Sequence, residues 1–243
     1  MKCTAIVLAA GKGSRMNSSV SKQYMELEGF PLIYYALRTF EQSIVDDIIL
    51  VTGEHEIDYC RRQIVEKYRF QKVHEIIAGG RERYLSVYQG LCAVQEADIV
   101  LIHDGARPFV TDEIIERTIA AAVRYGSGVA AVRAKDTVKL VNEEQFAVQT
   151  PPRESVWMMQ TPQTFACQKI RQAYEAVIRQ QLCNITDDAM VLEAAFQEPV
   201  KIVEGSYRNI KVTTPEDLEI AAVFAKDKKE LKKFKMGIDR QKN

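Results

Sequence analysis

"TAIVLAAGKGSRM", residues 4–16, runs from an unbroken apolar stretch straight into a loop with two glycines and two cations. An apolar run of this kind, closed by glycine, reads as a strand buried on both faces, because a half-exposed strand would alternate apolar with polar residues. The loop is of the sort that cradles phosphate with its backbone N–H groups. Two familiar loops do not fit. A Walker A loop needs Lys-Ser/Thr after its last glycine, whereas Ser14-Arg15 follows Gly13. The dinucleotide fingerprint needs a third glycine three residues after the second, and Met16 stands there, too bulky for close approach of helix to strand. What remains is a strand, a flexible loop holding Gly11 and Gly13, then Arg15, with Lys22 seven residues further on. Two cations beside a glycine turn suit a reaction whose charge builds up on phosphoryl oxygens.

The same apolar rhythm recurs in "DDIILVTG", "KVHEIIAGG", "DIVLIHD" and "GVAAVRA". Amphipathic segments at 31–42, 56–68, 82–95 and 111–125 lie between these runs, with Pro31 and Asp112 near helix starts, where proline and acidic residues are well placed. Strands alternating with helices predict an α/β, doubly wound, mostly parallel sheet. In such sheets ligands bind beyond the carboxyl ends of the strands. Here those ends read "AAGKGSRM", "VTG", "AGGRER" and "HDGARP", so glycines and charges collect on one edge. After Ala134 the rhythm changes. Residues 138–141 and 146–149 alternate around "NEEQ" and can pair as a hairpin. A lone hairpin is not stable, so this arm, about residues 136–156, is expected to lean on something, such as a second subunit. Helices at 168–181 and 187–196 and a strand in "VKIVEG" follow. With no internal repeat or low-complexity linker, residues 1–225 read as one domain with an arm, and 226–243 as a basic tail.

Charge and cysteine content narrow the partners. The tail carries eight Lys/Arg against three Asp/Glu, which leaves the body with 25 against 30 and a net charge of −5. A body of that sign argues against a nucleic-acid surface. Five scattered cysteines offer neither metal-ligand spacing nor a disulfide framework. No apolar stretch is long enough to cross a bilayer and the start lacks a signal-peptide layout, so a cytoplasmic location is expected.

"LAAGKGSRM…SKQY", "AGGRERYLSV", "HDGARP", "DTVK", "QTPQTF", "TDDA" and "NIKVTTPEDL" together resemble, in order and spacing, the cytidylyltransferases of the isoprenoid precursor pathway, from residue 4 to about residue 222. The resemblance implies a Rossmann-like nucleotidyltransferase fold, a homodimer with exchanged arms, CTP as donor and a divalent cation, usually Mg²⁺. The implied reaction joins CTP to 2-C-methyl-D-erythritol 4-phosphate, a sugar-alcohol phosphate, giving a CDP-linked product and pyrophosphate. Its nucleophile is a phosphate oxygen already ionised at neutral pH, so no general base is needed. That accords with His55, His74 and His103, none of which has an obvious nucleophile partner in sequence.

By the same resemblance Arg15, Lys22 and Lys211 are the catalytic cations, and Ala9, Ala10, Gly11, Gly13, Gly80, Ser86 and Asp104 bind CTP. Asp104 ends a buried strand and would ligate Mg²⁺ through oxygen, as hard cations prefer. Arg107, Thr137, Arg153 and Thr161 would hold the acceptor, with Thr137 and Arg153 reaching a neighbouring subunit. Arg81 and Arg83 can also be read as exposed charges at a helix start, and "TDDA" as a helix cap with acidic first-turn residues. Ser21 stands where the family commonly has proline, which would stiffen the approach to Lys22, and Arg81 where many relatives are acidic. Two alternatives remain at this point, a D-ribitol-5-phosphate cytidylyltransferase and a non-catalytic nucleotide-binding protein on the same fold.

Overall fold

The computed structural model describes residues 1–11, 21–182 and 184–226, so Gly13, Arg15 and the tail beyond Lys226 lie outside the described residues. The opening apolar run forms β1 (Cys3–Leu8), buried along its whole length. Strand side chains alternate between faces, and the two hydrophobic cores divide on that parity. Ala5 and Val7 belong to one core, Ile6 and Leu8 to the other.

A 3-10 turn, Lys22–Tyr24, and a small antiparallel pair, β2 (Glu26–Leu27) and β3 (Phe30–Pro31), lead into α1 (Leu32–Gln42). Then come β4 (Asp47–Thr52) and α2 (Ile57–Tyr59), which continues as the π-helical stretch Cys60–Glu66. The alternation proceeds through β5 (Val73–Ala78), α3 (Arg83–Ala93), β6 (Ile99–Asp104), α4 (Asp112–Tyr125) and β7 (Ser127–Arg133). Glycine ends α4 at Gly126, whose φ of 81° lies in the left-handed region that closes a helix without a Cβ penalty. Next are β8 (Leu140–Val141), β9 (Ala147–Gln149), β10 (Trp157–Ala166), α5 (Cys167–Arg179), α6 (Asp188–Phe196), β11 (Ile202–Glu204) and α7 (Pro215–Lys226).

Seven strands form one sheet in the order β11-β7-β10-β6-β1-β4-β5. Four of its pairings, β1 with β4 and β6, β4 with β5, and β7 with β11, are parallel. Side chains of α1, α4 and α7 fill the first core and those of α3, α5 and α6 the second, so the sheet is covered on both faces as expected of a doubly wound fold. The two edge strands are the least buried, with His74 and Glu75 exposed on β5 and Glu204 on β11.

One strand of the seven-stranded sheet was not expected from sequence. β10 lies between β6 and β7 and runs antiparallel to both. Its register slips between Met159 and Gln163, a stretch holding Pro162, which has no N–H to give the ladder. The reversed direction has a consequence for the site. β7 ends and β10 begins at the same edge as the carboxyl end of β6, so the arm projects from the edge where the ligand loops gather. Within the arm β8 pairs with β9, Leu140 opposite Gln149 and Val141 opposite Ala147. Every residue from 135 to 150 is exposed, and Phe146 and Val148 show 67% and 65% of their surface. No described helix is long and apolar enough to cross a membrane.

Candidate active site

The carboxyl ends of β1, β4, β5 and β6 surround a cavity of about 840 Å³. Ala10 and Gly11 follow β1, Gly79 and Gly80 follow β5, and Asp104 ends β6. Lys22 enters from its 3-10 turn and Lys211 from the segment after β11, so residues nearly two hundred positions apart line one cavity. The loop after β5 has no room for side chains. A Cβ on Gly79 would lie 2.6 Å from the Ala10 Cβ and 2.7 Å from the Ser86 Oγ, and one on Gly80 would lie 2.5 Å from the Leu85 Cβ. Backbone therefore forms that wall, which is what close approach of a ligand requires. The Ser86 hydroxyl accepts from the Gly80 N–H at 3.0 Å and donates to the Glu82 carbonyl at 3.1 Å, fixing the loop to the start of α3. Ala9 lies fully buried beneath the loop, its N–H bonded to the Val51 carbonyl at 2.6 Å.

Asp104 is the electrostatic centre. Its Oδ1 meets Arg83 Nε at 3.0 Å and its Oδ2 meets Lys211 Nζ at 2.6 Å. Burial pushes its carboxyl pKa up, but Arg83 and Lys211 together hold it well below the usual carboxylate range. Arg83 turns the rest of its guanidinium onto Asp188, with paired bonds of 2.9 and 2.8 Å. Burial works against the Arg83 charge, but Asp104 and Asp188 outweigh it and raise its pKa well above the ordinary value. Asp188 is fully buried and also accepts from the Tyr174 hydroxyl at 2.5 Å. Gln163 Oε1 receives the backbone N–H groups of Asp188 and Ala189 at 2.9 and 2.8 Å. Asp187, not Asp188, caps α6, accepting from the Met190 N–H at 2.9 Å.

The acceptor-side candidates divide in two. Thr161 and Arg107 lie near Asp104 but outside the cavity lining. The Thr161 hydroxyl accepts from the Asp104 N–H at 3.1 Å and gives its own proton to His103 Nδ1, 3.0 Å away, because the other ring nitrogen faces a carbonyl that can only accept. His103 is thereby left with its proton on Nε2, which donates to the Arg107 carbonyl at 3.1 Å. Full burial lowers the His103 pKa to about 4, so the ring is neutral and serves as a strut. The Arg107 guanidinium donates to the Asn209 and Met159 carbonyls at 2.8 and 3.3 Å. Thr137 and Arg153 meet at the exposed base of the arm, Nη2 to Oγ1 at 3.0 Å, away from the cavity of their own chain.

Sequence reasoning therefore brought Ala10, Gly11, Lys22, Gly80, Ser86, Asp104 and Lys211 to one cavity. It missed the Arg83–Asp188 pair, having left Arg83 as a possible surface charge and Asp188 as a first-turn acid. No local signal marked the pair, since an acid in the first turn of a helix is favoured there without any buried partner.

Comparison with known proteins agrees with this geometry. A family model described as IspD, 2-C-methyl-D-erythritol 4-phosphate cytidylyltransferase, matches residues 3–227. The chain is 46% identical over 226 residues to the 2-C-methyl-D-erythritol 4-phosphate cytidylyltransferase of Lachnoclostridium phytofermentans, covering 93% of this chain and 97% of the relative. With the enzyme of that name from Clostridium botulinum strain Eklund 17B it shares 48% over 218 residues, 89% of this chain and 96% of the other. Among solved structures, the 4-diphosphocytidyl-2C-methyl-D-erythritol synthase of Anaerococcus prevotii superposes with a TM-score of 0.82 at 34% identity, covering 93% and 96% of the two chains. The cytidylyltransferase of Thermus thermophilus gives a TM-score of 0.75 at 27% identity, with 93% and 100% covered. With the glycine-walled cavity, its converging cations and these matches in agreement, the chain belongs to the 2-C-methyl-D-erythritol 4-phosphate cytidylyltransferase family.

Proposed function

We propose that this chain transfers a cytidylyl group from CTP to 2-C-methyl-D-erythritol 4-phosphate, releasing pyrophosphate. The observation that carries the reading is the meeting of Lys22, Lys211 and Asp104 in a cavity walled by glycine backbone at the strand edge. An oxygen of the acceptor phosphate attacks the α-phosphorus of CTP, and the bond from that phosphorus to the bridging β-oxygen breaks. The obstacle is bringing two polyanions together while charge moves onto the departing pyrophosphate, and fixed cations lower that barrier. Lys22 and Lys211 supply the charge within the described residues, and Arg15, outside them, is assigned the same role by its place in the sequence. The backbone of Gly79 and Gly80 receives the base, with Ser86 holding the loop in shape.

The residues fit a divalent cation of limited kind. No group of three or more His, Cys, Asp or Glu side chains is placed to cage a metal among the described residues. Mg²⁺, however, is commonly held by one carboxylate together with substrate phosphates and water, and Asp104 opens on the cavity. Asp104 would hold it, and Mg²⁺ there would neutralise charge on the triphosphate. Lys211, paired here with Asp104, would then be available to the phosphate.

Arg107 and Thr161 sit on the acceptor side of Asp104, while Thr137 and Arg153 are carried out on the arm. The reading accordingly assigns them to the site of a second copy, in a homodimer with exchanged arms. Exposed Val141, Phe146 and Val148 give the arm an apolar surface to bury there. Residues 1–225 are assigned to one domain, supported by two cores that share one sheet, and 226–243 are set apart as a basic tail by composition alone. Free thiols at Cys3, Cys60, Cys92 and Cys167 suit a reducing cytoplasm.

The test is pyrophosphate release with CTP and Mg²⁺, comparing 2-C-methyl-D-erythritol 4-phosphate, D-ribitol 5-phosphate and no acceptor. Release with the methylerythritol phosphate alone is expected. Preference for ribitol phosphate would overturn the acceptor, and silence with both despite CTP binding would overturn the catalytic reading.

A further inference from the structure

Glu56 brings a carboxylate to the lining of a cavity meant for a polyanion, where a negative charge opposes the ligand unless it is put to other use. Both of its oxygens are engaged. Oε1 accepts from the Ser21 hydroxyl, and Oε2 accepts from the Gly53 N–H at 3.2 Å and the Thr52 hydroxyl at 3.3 Å. Gly53 is what allows the approach, since a Cβ there would lie 2.8 Å from Oε2. Ser21 is the residue from which the 3-10 turn Lys22–Tyr24 starts, its carbonyl receiving the Tyr24 N–H at 2.9 Å. Glu56 thus ties the root of the Lys22 turn to the end of β4.

The other two residues of the turn are pinned as well. Gln23 Nε2 donates to the Gly11 carbonyl at 3.0 Å, and the buried Tyr24 hydroxyl lies 2.5 Å from Thr52 Oγ1 and 2.9 Å from Cys60 Sγ. Tyr24 and Glu56 therefore share the Thr52 hydroxyl. We propose that Glu56, acting through Ser21, is a positioning residue that sets where Lys22 enters the nucleotide cavity. This rests on the reading of Lys22 as a catalytic cation. A long, flexible lysine contributes a point charge, and its effect at a transition state depends on where its backbone is held. Misplacement by about 1 Å costs roughly a hundredfold in rate.

The experiment is a mutant cycle on turnover, read as kcat and as KM for each substrate, with thermal melts to confirm folding. Glu56→Ala and Ser21→Ala are each expected to lower kcat by roughly ten- to a hundredfold, with the acceptor KM unchanged. Glu56→Gln, which keeps an acceptor and a donor at the two oxygen positions, is expected to retain more activity than Glu56→Ala. In a Lys22→Ala background, itself low in kcat, adding Glu56→Ala should change kcat no further. A purely structural role would lower kcat by the same factor with or without Lys22, and that result overturns the proposal. So does wild-type kcat in both Glu56→Ala and Ser21→Ala when Lys22→Ala is impaired. Should Glu56→Ala fail to fold, Ser21→Ala and its pairing with Lys22→Ala carry the same comparison, since Ser21 is only half-buried. Full activity in Lys22→Ala would instead refute the catalytic role of Lys22, and the positioning role would fall with it.

Discussion

His103 allows a quantitative prediction that follows from its burial. The ring is fully enclosed, bonded on one nitrogen to Thr161 and on the other to the Arg107 carbonyl, with Phe40 edge-on at 5.1 Å. Both bonds are met by the neutral ring with its proton on Nε2, which donates to the Arg107 carbonyl while Nδ1 accepts from Thr161. In the unfolded chain His103 titrates near its ordinary value of 6.5, and in the folded protein burial lowers it to about 4. Because the folded pKa is the lower one, the unfolded state takes up the proton first as pH falls. The stability contributed is whole above 6.5 and is lost progressively as pH drops toward and through about 4. Linkage over that interval gives a loss of about 2 kcal/mol between pH 7 and pH 5 from this one group. The assay is urea unfolding of the wild type and of His103→Gln across that range. Glutamine can still donate to the Arg107 carbonyl and does not titrate. Other ionisable groups are common to both proteins and cancel in the difference. The stability gap between wild type and variant should therefore shrink by about 2 kcal/mol on going from pH 7 to pH 5. A gap that stays constant to within about 0.5 kcal/mol would refute the neutral, buried strut, because a solvent-accessible histidine has no folded-state shift to lose.

Asp188→Ala should lower the melting temperature by roughly 10 °C, since breaking a buried ion pair costs about 3–5 kcal/mol and each kcal/mol moves a domain of this size by roughly 2–4 °C; calorimetry checks it, and a change below about 2 °C would mean that Asp104 alone satisfies Arg83. Phe146→Asp together with Val148→Asp should shift sedimentation velocity from dimer to monomer and cut turnover at least tenfold, by about 1.4 kcal/mol, whereas a monomeric, fully active wild type would sink the shared-site reading.

The parallel part of the sheet was legible because physics writes it plainly. A strand covered on both faces must be apolar at every position, so "AIVL", "IILV" and "IVLI" identify β1, β4 and β6 without help from a partner. β10 was hidden for the opposite reason. "WMMQTPQTFA" has a proline and a row of Gln and Thr, which read as a loop. Three of those four polar side chains are paired: Gln160 bonds Ser206 and Asn209, Thr161 bonds His103 and Asp104, and Gln163 bonds the start of α6. Their partners lie far away in sequence, so no local pattern could announce a strand.

The same distinction separates the site residues that were found from those that were not. Glycines, strand-end Asp104 and the lysines stand in short motifs whose geometry is local, and those motifs lie where the strands end. Arg83 and Asp188 are 105 residues apart, and neither has a sequence neighbour that betrays the other. Yet they decide how Asp104 is presented. Without Asp188, the Arg83 guanidinium would be free to turn wholly onto Asp104 and compete with both Lys211 and any cation brought by the triphosphate. With two of its nitrogens taken by Asp188, Arg83 offers Asp104 only Nε, and Oδ2 is left to Lys211. The buried pair therefore rations positive charge at the strand edge and leaves one carboxylate oxygen of Asp104 to Lys211.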